Sequence, residues 1–217
     1  MYRIWLFIFI IIVIIRTVWI YQSGKFNLIL LKSRIWLSFD NIYKHLMMSG
    51  FKQDIFKRLR YFFITASVML FLLLALTGLI PVVILAKPMS GLLLIIHVTV
   101  APFFVVALML TAIFWAHSQQ FGQSDFIYLK ERGHHKKNQN SSQHVKFFWQ
   151  KLSFWLFLIF SVPAILSIIL SMFPYFGTDG QITMLNIHRY SVLILMVIIV
   201  TYLDVVIRSD IKILKED

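Results

Sequence analysis

Residues 88–117, PMSGLLLIIHVTVAPFFVVALMLTAIFWAH, run for thirty positions without a formal charge. About 20 apolar residues in helical form span the hydrocarbon core of a bilayer. This stretch therefore predicts a membrane-crossing helix with length to spare. It carries one titratable side chain, His97, about two turns from its start. A polar side chain at such depth costs free energy unless it is paired or used, so His97 is the first functional candidate.

Four further apolar runs share this character. Residues 4–22 predict an N-terminal anchor helix within a segment 1–22, with Arg16 near its far end and able to snorkel toward the headgroups. The run contains no small-residue cleavage site, which points to an anchor that is kept rather than a signal peptide. Residues 61–83 predict a second span that breaks near Gly78 and Pro81. Residues 147–173 predict a fourth span, kinked at Pro163, with Trp149 and Trp155 in its aromatic belt. Residues 185–207 predict a fifth, with His188 near its start and Asp204 near its end. The short link through Lys87 and Pro88 makes the second and third spans antiparallel neighbours. The expected fold class is an all-α membrane protein: five transmembrane helices, with a four-helix bundle over 61–207, the anchor before it and a cytoplasmic tail at 208–217.

The segments between spans are polar and basic. Residues 23–60 alternate Lys and Arg with apolar positions on a helical period. This suits an interfacial helix anchored by Trp36 and Tyr43, or equally a helix packed on a partner subunit. Residues 118–146 predict a solvated loop containing His134, His135 and His144, whose spacing matches no closed zinc pattern. Lys and Arg number eight in 23–60, six in 118–151 and three in the tail, against single cations at Arg3, Lys87 and Arg189. By the positive-inside rule the N-terminus lies outside, and both long loops and the C-terminus lie in the cytoplasm.

The chain is 59% hydrophobic and 14% charged, where a soluble domain has nearer half and a quarter. Its net charge of +12 is accounted for by those loops, so a lipid bilayer and not nucleic acid is the expected partner. Without cysteine, disulfides, thiolate-held iron–sulfur clusters and cysteine-ligated haem are excluded. No nucleophile arrangement, paired-carboxylate site or phosphate loop is present in the sequence, which argues against an independent hydrolase or NTPase. Few intramembrane polar groups line any transport path.

The two intramembrane histidines are counted from the same, outer side. His97 lies six residues after Gly91, about 9 Å along its helix, and His188 three residues after Leu185, about 5 Å along its own. Facing imidazoles on different helices of a bundle can hold one haem b, and Arg189 could pair with a propionate. The alternatives are two structural histidines, each bonded to a neighbouring helix, or a proton path. His117 lies 20 residues from His97, about 30 Å, and cannot share its haem. Asp204 is either a helix-end carboxylate or a proton donor to a quinone.

Residues 58–207 resemble the cytochrome b subunits of membrane formate dehydrogenases and hydrogenases, of the b561-like superfamily. Arg58-Leu59-Arg60-Tyr61-Phe62 stands where that family opens its first core helix with Arg–x–x–His–Trp, and Thr77-Gly78 where that helix ends. Gln143 to Trp149 resembles the opening of the third core helix, and His188-Arg189-Tyr190-Ser191 the last. Tyr61 replaces the family's first histidine, Lys87-Pro88 its His-Pro, and no histidine follows His188. The resemblance implies a membrane-anchor subunit of a respiratory complex in a bacterial inner membrane. Such a subunit passes electrons through haem b between an outer-side redox partner and the quinone pool. A haem-free structural or assembly subunit on the same fold is the alternative.

Overall fold

The computed structural model describes residues 2–22, 55–84, 87–133 and 141–216. The described residues form six α-helices and two short 3-10 helices, with no strand among them. We label the α-helices α1 (Tyr2–Gln22), α2 (Ile55–Val83), α3 (Gly91–Trp115), α4 (Gln123–Gly133), α5 (Ser141–Ser171) and α6 (Gly177–Glu216). Four stretches, Arg58–Val83, Gly91–Gln119, Phe147–Ser171 and Pro174–Val205, are long and apolar enough to cross a membrane. The chain is thus an all-helical, multi-pass membrane protein. Most of segment 23–60, with its proposed interfacial helix, lies outside the described residues, as do His134 and His135.

The chain divides into two compact units, Thr17–His117 and Met1–Arg16 with Ser118–Asp217. The first unit is built on the α2–α3 hairpin. Arg60, Ser67 and Thr77, climbing α2, meet Trp115, Thr111 and His97, descending α3. Matched steps in opposite directions define an antiparallel pair, as the short link predicts. Stacked Phe63 and Phe114, with ring centroids 5.5 Å apart, and tilted Phe71 and Phe104, at 5.9 Å, fill the seam between these rungs. Helix α2 passes through Gly78 and Pro81 and ends two residues later at Val83, where the sequence predicts its end. Proline has no N–H to give the carbonyl four residues back, which weakens the last turn without stopping it at once.

In the second unit α5 and α6 form the main hairpin. Its seam is lined by small residues: Ser161, Ala164 and Ser167 on α5 and Ser191 on α6 are buried beside Leu195 and Met196. Small side chains let helix backbones approach closely, which is the main source of attraction between helices in lipid. After the 3-10 helix Pro174–Phe176 the chain enters α6 at Gly177, eight residues before the predicted start at Leu185. Gly177 has φ 62° and ψ 179°, a region essentially open to glycine alone. At Gly180 a Cβ would stand 2.4 Å from that of Phe176, so this first turn needs both glycines.

The described part of 118–146 is largely helical. It contains the 3-10 helix Ala116–Gln119 in part, all of α4 and the start of α5. The carboxylate of Asp125 accepts from the Gly122 N–H at 2.8 Å, while the Asp125 N–H donates to the Gly122 carbonyl. This is a reciprocal cap on α4 of the kind that stabilises helix starts. Lys151 on α5 also donates to Asp125, at 2.6 Å, and Trp155 donates to the Gln119 carbonyl, so α4 is tied to α5.

Helix α1 is fastened to α6 at two points. Tyr2 meets Tyr190 edge-on with centroids 5.8 Å apart, and Arg16 pairs with Asp204. Both intervals are fourteen residues, about 21 Å of helix. Helices α1 and α6 therefore run side by side in the same direction.

Candidate functional site

His97 sits on the second turn of α3, facing α2. Its Nδ1 is 2.9 Å from the Thr77 hydroxyl, and that oxygen also lies 2.9 and 3.0 Å from the carbonyls of Leu73 and Leu74 on its own helix. A hydroxyl has one proton and two lone pairs. With its proton on a helix carbonyl, Thr77 accepts from His97 Nδ1–H. The ring edge lies over Gly78.

His188 lies further along its helix than the sequence predicted. Eleven residues separate it from Gly177, about 16 Å rather than 5 Å, because α6 begins earlier than Leu185. Its Nδ1 is 2.8 Å from the Ala164 carbonyl across the α5–α6 seam. A carbonyl only accepts, so Nδ1 carries the proton and the neutral ring has its lone pair on Nε2. A histidine that ligates a metal through one nitrogen nearly always donates the other N–H to a carbonyl, carboxylate or water. The His188 setting meets that requirement.

The predicted site residues thus fall in both units: His97 belongs to the α2–α3 unit, His188 and Arg189 to the other. Arg189 is exposed, and its guanidinium lies 3.4 Å from the Asn186 side-chain oxygen one turn back. His117 is exposed within the 3-10 helix after α3. Among the described residues no group of three or more His, Asp or Glu side chains is placed to hold a metal ion.

The sequence did not show what Asp204 does. It is buried and bonded at 2.5 Å to Arg16, whose side chain stays half exposed. Arg16 therefore does not merely snorkel, and Asp204 is not simply a helix-end carboxylate. The signal that could have found the pair is the shared fourteen-residue interval from Tyr2 to Arg16 and from Tyr190 to Asp204. At the end of the α2–α3 hairpin the Arg60 guanidinium lies 4.3 Å over the Trp115 ring, and Trp115 donates to the Arg60 carbonyl. Tyr61 meets Trp115 edge-on at 6.0 Å.

The fold and these sites define a multi-pass helical membrane protein with one histidine clasp in each of two hairpins. No protein-family model matches the chain, and no curated protein or solved structure matches it either.

Proposed function

We propose that this chain is the membrane-anchor, cytochrome b-like subunit of a redox complex, with His97 and His188 as the axial ligands of one haem b. The observation that carries the reading is the tautomer of His188, fixed by the Ala164 carbonyl so that Nε2 is the nitrogen able to bind iron. On the other hairpin His97 Nδ1 is bonded to the Thr77 hydroxyl. The reading requires the assembled bundle to bring the two rings face to face. A haem b held there supplies one-electron transfer between an outer-side partner subunit and a quinone in the membrane. Exposed Arg189 is the group available to a propionate. The parallel fastening of α1 to α6 supports a fifth span, and the loop charges support an outside N-terminus in a bacterial inner membrane.

A second reading is favoured by the same two bonds. Each histidine already satisfies a neighbouring helix, Thr77 in one hairpin and Ala164 in the other, as a haem-free structural subunit would need. The experiment that separates the readings is a dithionite-reduced minus oxidised spectrum of protein purified with its native partners, repeated for His97→Ala and His188→Ala. One b-type haem per chain, lost in both variants, is the expected result. A wild-type protein without a b-type band sinks the first reading and leaves the second.

A further inference from the structure

Helix α4 is pinned to one level of α5. Asp125 and Tyr128 stand about one turn apart on α4 and meet Lys151 and Phe148, about one turn apart on α5. Lys151 donates to the Asp125 carboxylate at 2.6 Å, and the Tyr128 and Phe148 ring centroids are 5.4 Å apart. Phe121, just before α4, packs on Phe148 as well, at 6.0 Å. Phe148 and Lys151 belong to the first turns of the apolar stretch Phe147–Ser171. About 20 helical residues cross a hydrocarbon core about 30 Å thick, so a core that begins at Ser171 ends near Leu152. Lys151 and Phe148 then lie about 2 and 6 Å beyond it. The headgroup layer on each side of the core is about 5–7 Å deep, so residues 125–128 of α4 share its level.

We infer that α4 is seated in the lipid headgroup layer, with Phe126 and Ile127 as its contacts to lipid. Besides depth, three observations select lipid as the occupant. The first is the outward face of α4. Asp125 and Tyr128 define the side toward α5, and at about 100° per residue Phe126 and Ile127 each stand about 130° from its middle. They are 64% and 55% exposed, so two large apolar side chains point away from the protein at the level of Trp149, where aromatic residues mark the interface. The second is charge. The Asp125 side chain is 7% exposed, and its carboxylate accepts from the Gly122 N–H and from Lys151, so it is satisfied within the protein. Lys130, four residues after Phe126, is exposed, and its stem is long enough to carry the ammonium to the phosphates. The third is continuity. Phe147, the first residue of the apolar α5 stretch, is itself 56% exposed, so the lipid-facing surface of the span runs on to the level of α4. An apolar face flanked by a cation is what an interfacial helix presents to lipid. Neither His97 nor His188 takes part, so the seating of α4 stands apart from the haem reading.

The chain has no cysteine, so a nitroxide label can be placed at one position at a time. Phe126→Cys and Ile127→Cys are labelled separately in the whole chain and reconstituted in vesicles of phosphatidylcholine and phosphatidylglycerol. Collisions of each label with oxygen, which concentrates in lipid, are compared with collisions with a water-soluble nickel chelate. Ile159→Cys, at an exposed position near the middle of the α5 span, gives the reading for hydrocarbon, and the free label in buffer gives the reading for water. Both α4 labels are expected to show an oxygen-to-nickel ratio above the aqueous reference and below that of Ile159→Cys. Ratios at the aqueous reference overturn the inference. So do labels shielded from both reagents, which would mean that protein, a partner subunit or a second copy, covers this face. Both sites are exposed, and circular dichroism checks that each variant is folded, so either one carries the test if the other fails to fold.

Discussion

The two hairpins solve the same problem by different means. In α2–α3 the polar side chains reach across: Ser67 bonds Thr111 at 2.8 Å, Thr77 bonds His97, and Trp115 bonds the Arg60 carbonyl. In α5–α6 the serines turn back on their own helix, Ser161 to Phe157, Ser167 to Ala164 and Ser171 to Ile168. A bond within one helix survives when the helices separate, so it adds nothing to their association. A bond between helices is lost on separation, and its net value depends on what its partners find instead. The first hairpin is therefore pinned by polar rungs, and the second is held by the close approach that small residues allow. His188 to Ala164 is the cross-seam bond that the second hairpin shares in kind with the first.

The largest effect expected from this contrast is in the seam of α5–α6. Ser167→Leu puts a branched side chain where the backbones approach. Overpacking of this kind costs about 1–3 kcal/mol, read as a shift in unfolding of the detergent-solubilised protein by dodecyl sulfate. Ser167→Ala, which removes only a hydroxyl bonded to its own helix, is expected to leave that midpoint unchanged. A large loss in the alanine variant would show that the hydroxyl matters between helices. A smaller effect is expected in the other hairpin. Thr111→Val keeps the shape of the side chain but removes the rung to Ser67. Interhelical bonds of this type average about 0.6 kcal/mol and reach about 1.7. The value stays low because the Ser67 hydroxyl can turn to its own helix when the rung is gone. If Thr111→Val costs no more than Ser167→Ala, the distinction between the hairpins fails.

Much of this arrangement is legible in the sequence, and the reasons for the rest are local. The four long apolar runs, and the antiparallel turn between α2 and α3, follow from hydropathy and from the brevity of the Lys87–Gly91 link. The start of α6 is not legible in the sequence because Gly177 and Gly180 have the look of turn residues. They are there because one needs a glycine-only conformation and the other has no room for a Cβ. Helix α4 was hidden by its polar composition, although Asp125 three residues after Gly122 carries its cap. The histidines could be found as depths on helices, but not their partners. The choice of Thr77 for His97 and of the Ala164 carbonyl for His188 depends on how the helices are rotated, which periodicity alone leaves open. The Arg16–Asp204 pair is the same case: both residues lie toward the C-terminal ends of their apolar runs, yet only the packing of α1 on α6 joins them.

Gly78 gives the smallest expected change. The imidazole of His97 lies against it, which invites the view that glycine is required for close approach. The geometry argues otherwise. A Cβ at Gly78 would stand 3.6 Å from His97 Cε1 and 4.0 Å from Nδ1, ordinary contact distances. Alanine is also favoured over glycine within a helix by about 1 kcal/mol. Gly78→Ala is therefore expected to leave the protein as stable as before or more stable by up to about 1 kcal/mol, with the Thr77–His97 rung intact. Gly78→Leu, which must place further carbons where the ring now lies, is expected to displace it and cost about what Thr111→Val costs. If Gly78→Ala destabilises instead, the ring packs closer to α2 than the 3.6 Å geometry allows, and the histidine clasp in this hairpin is tighter than its counterpart at Ala164.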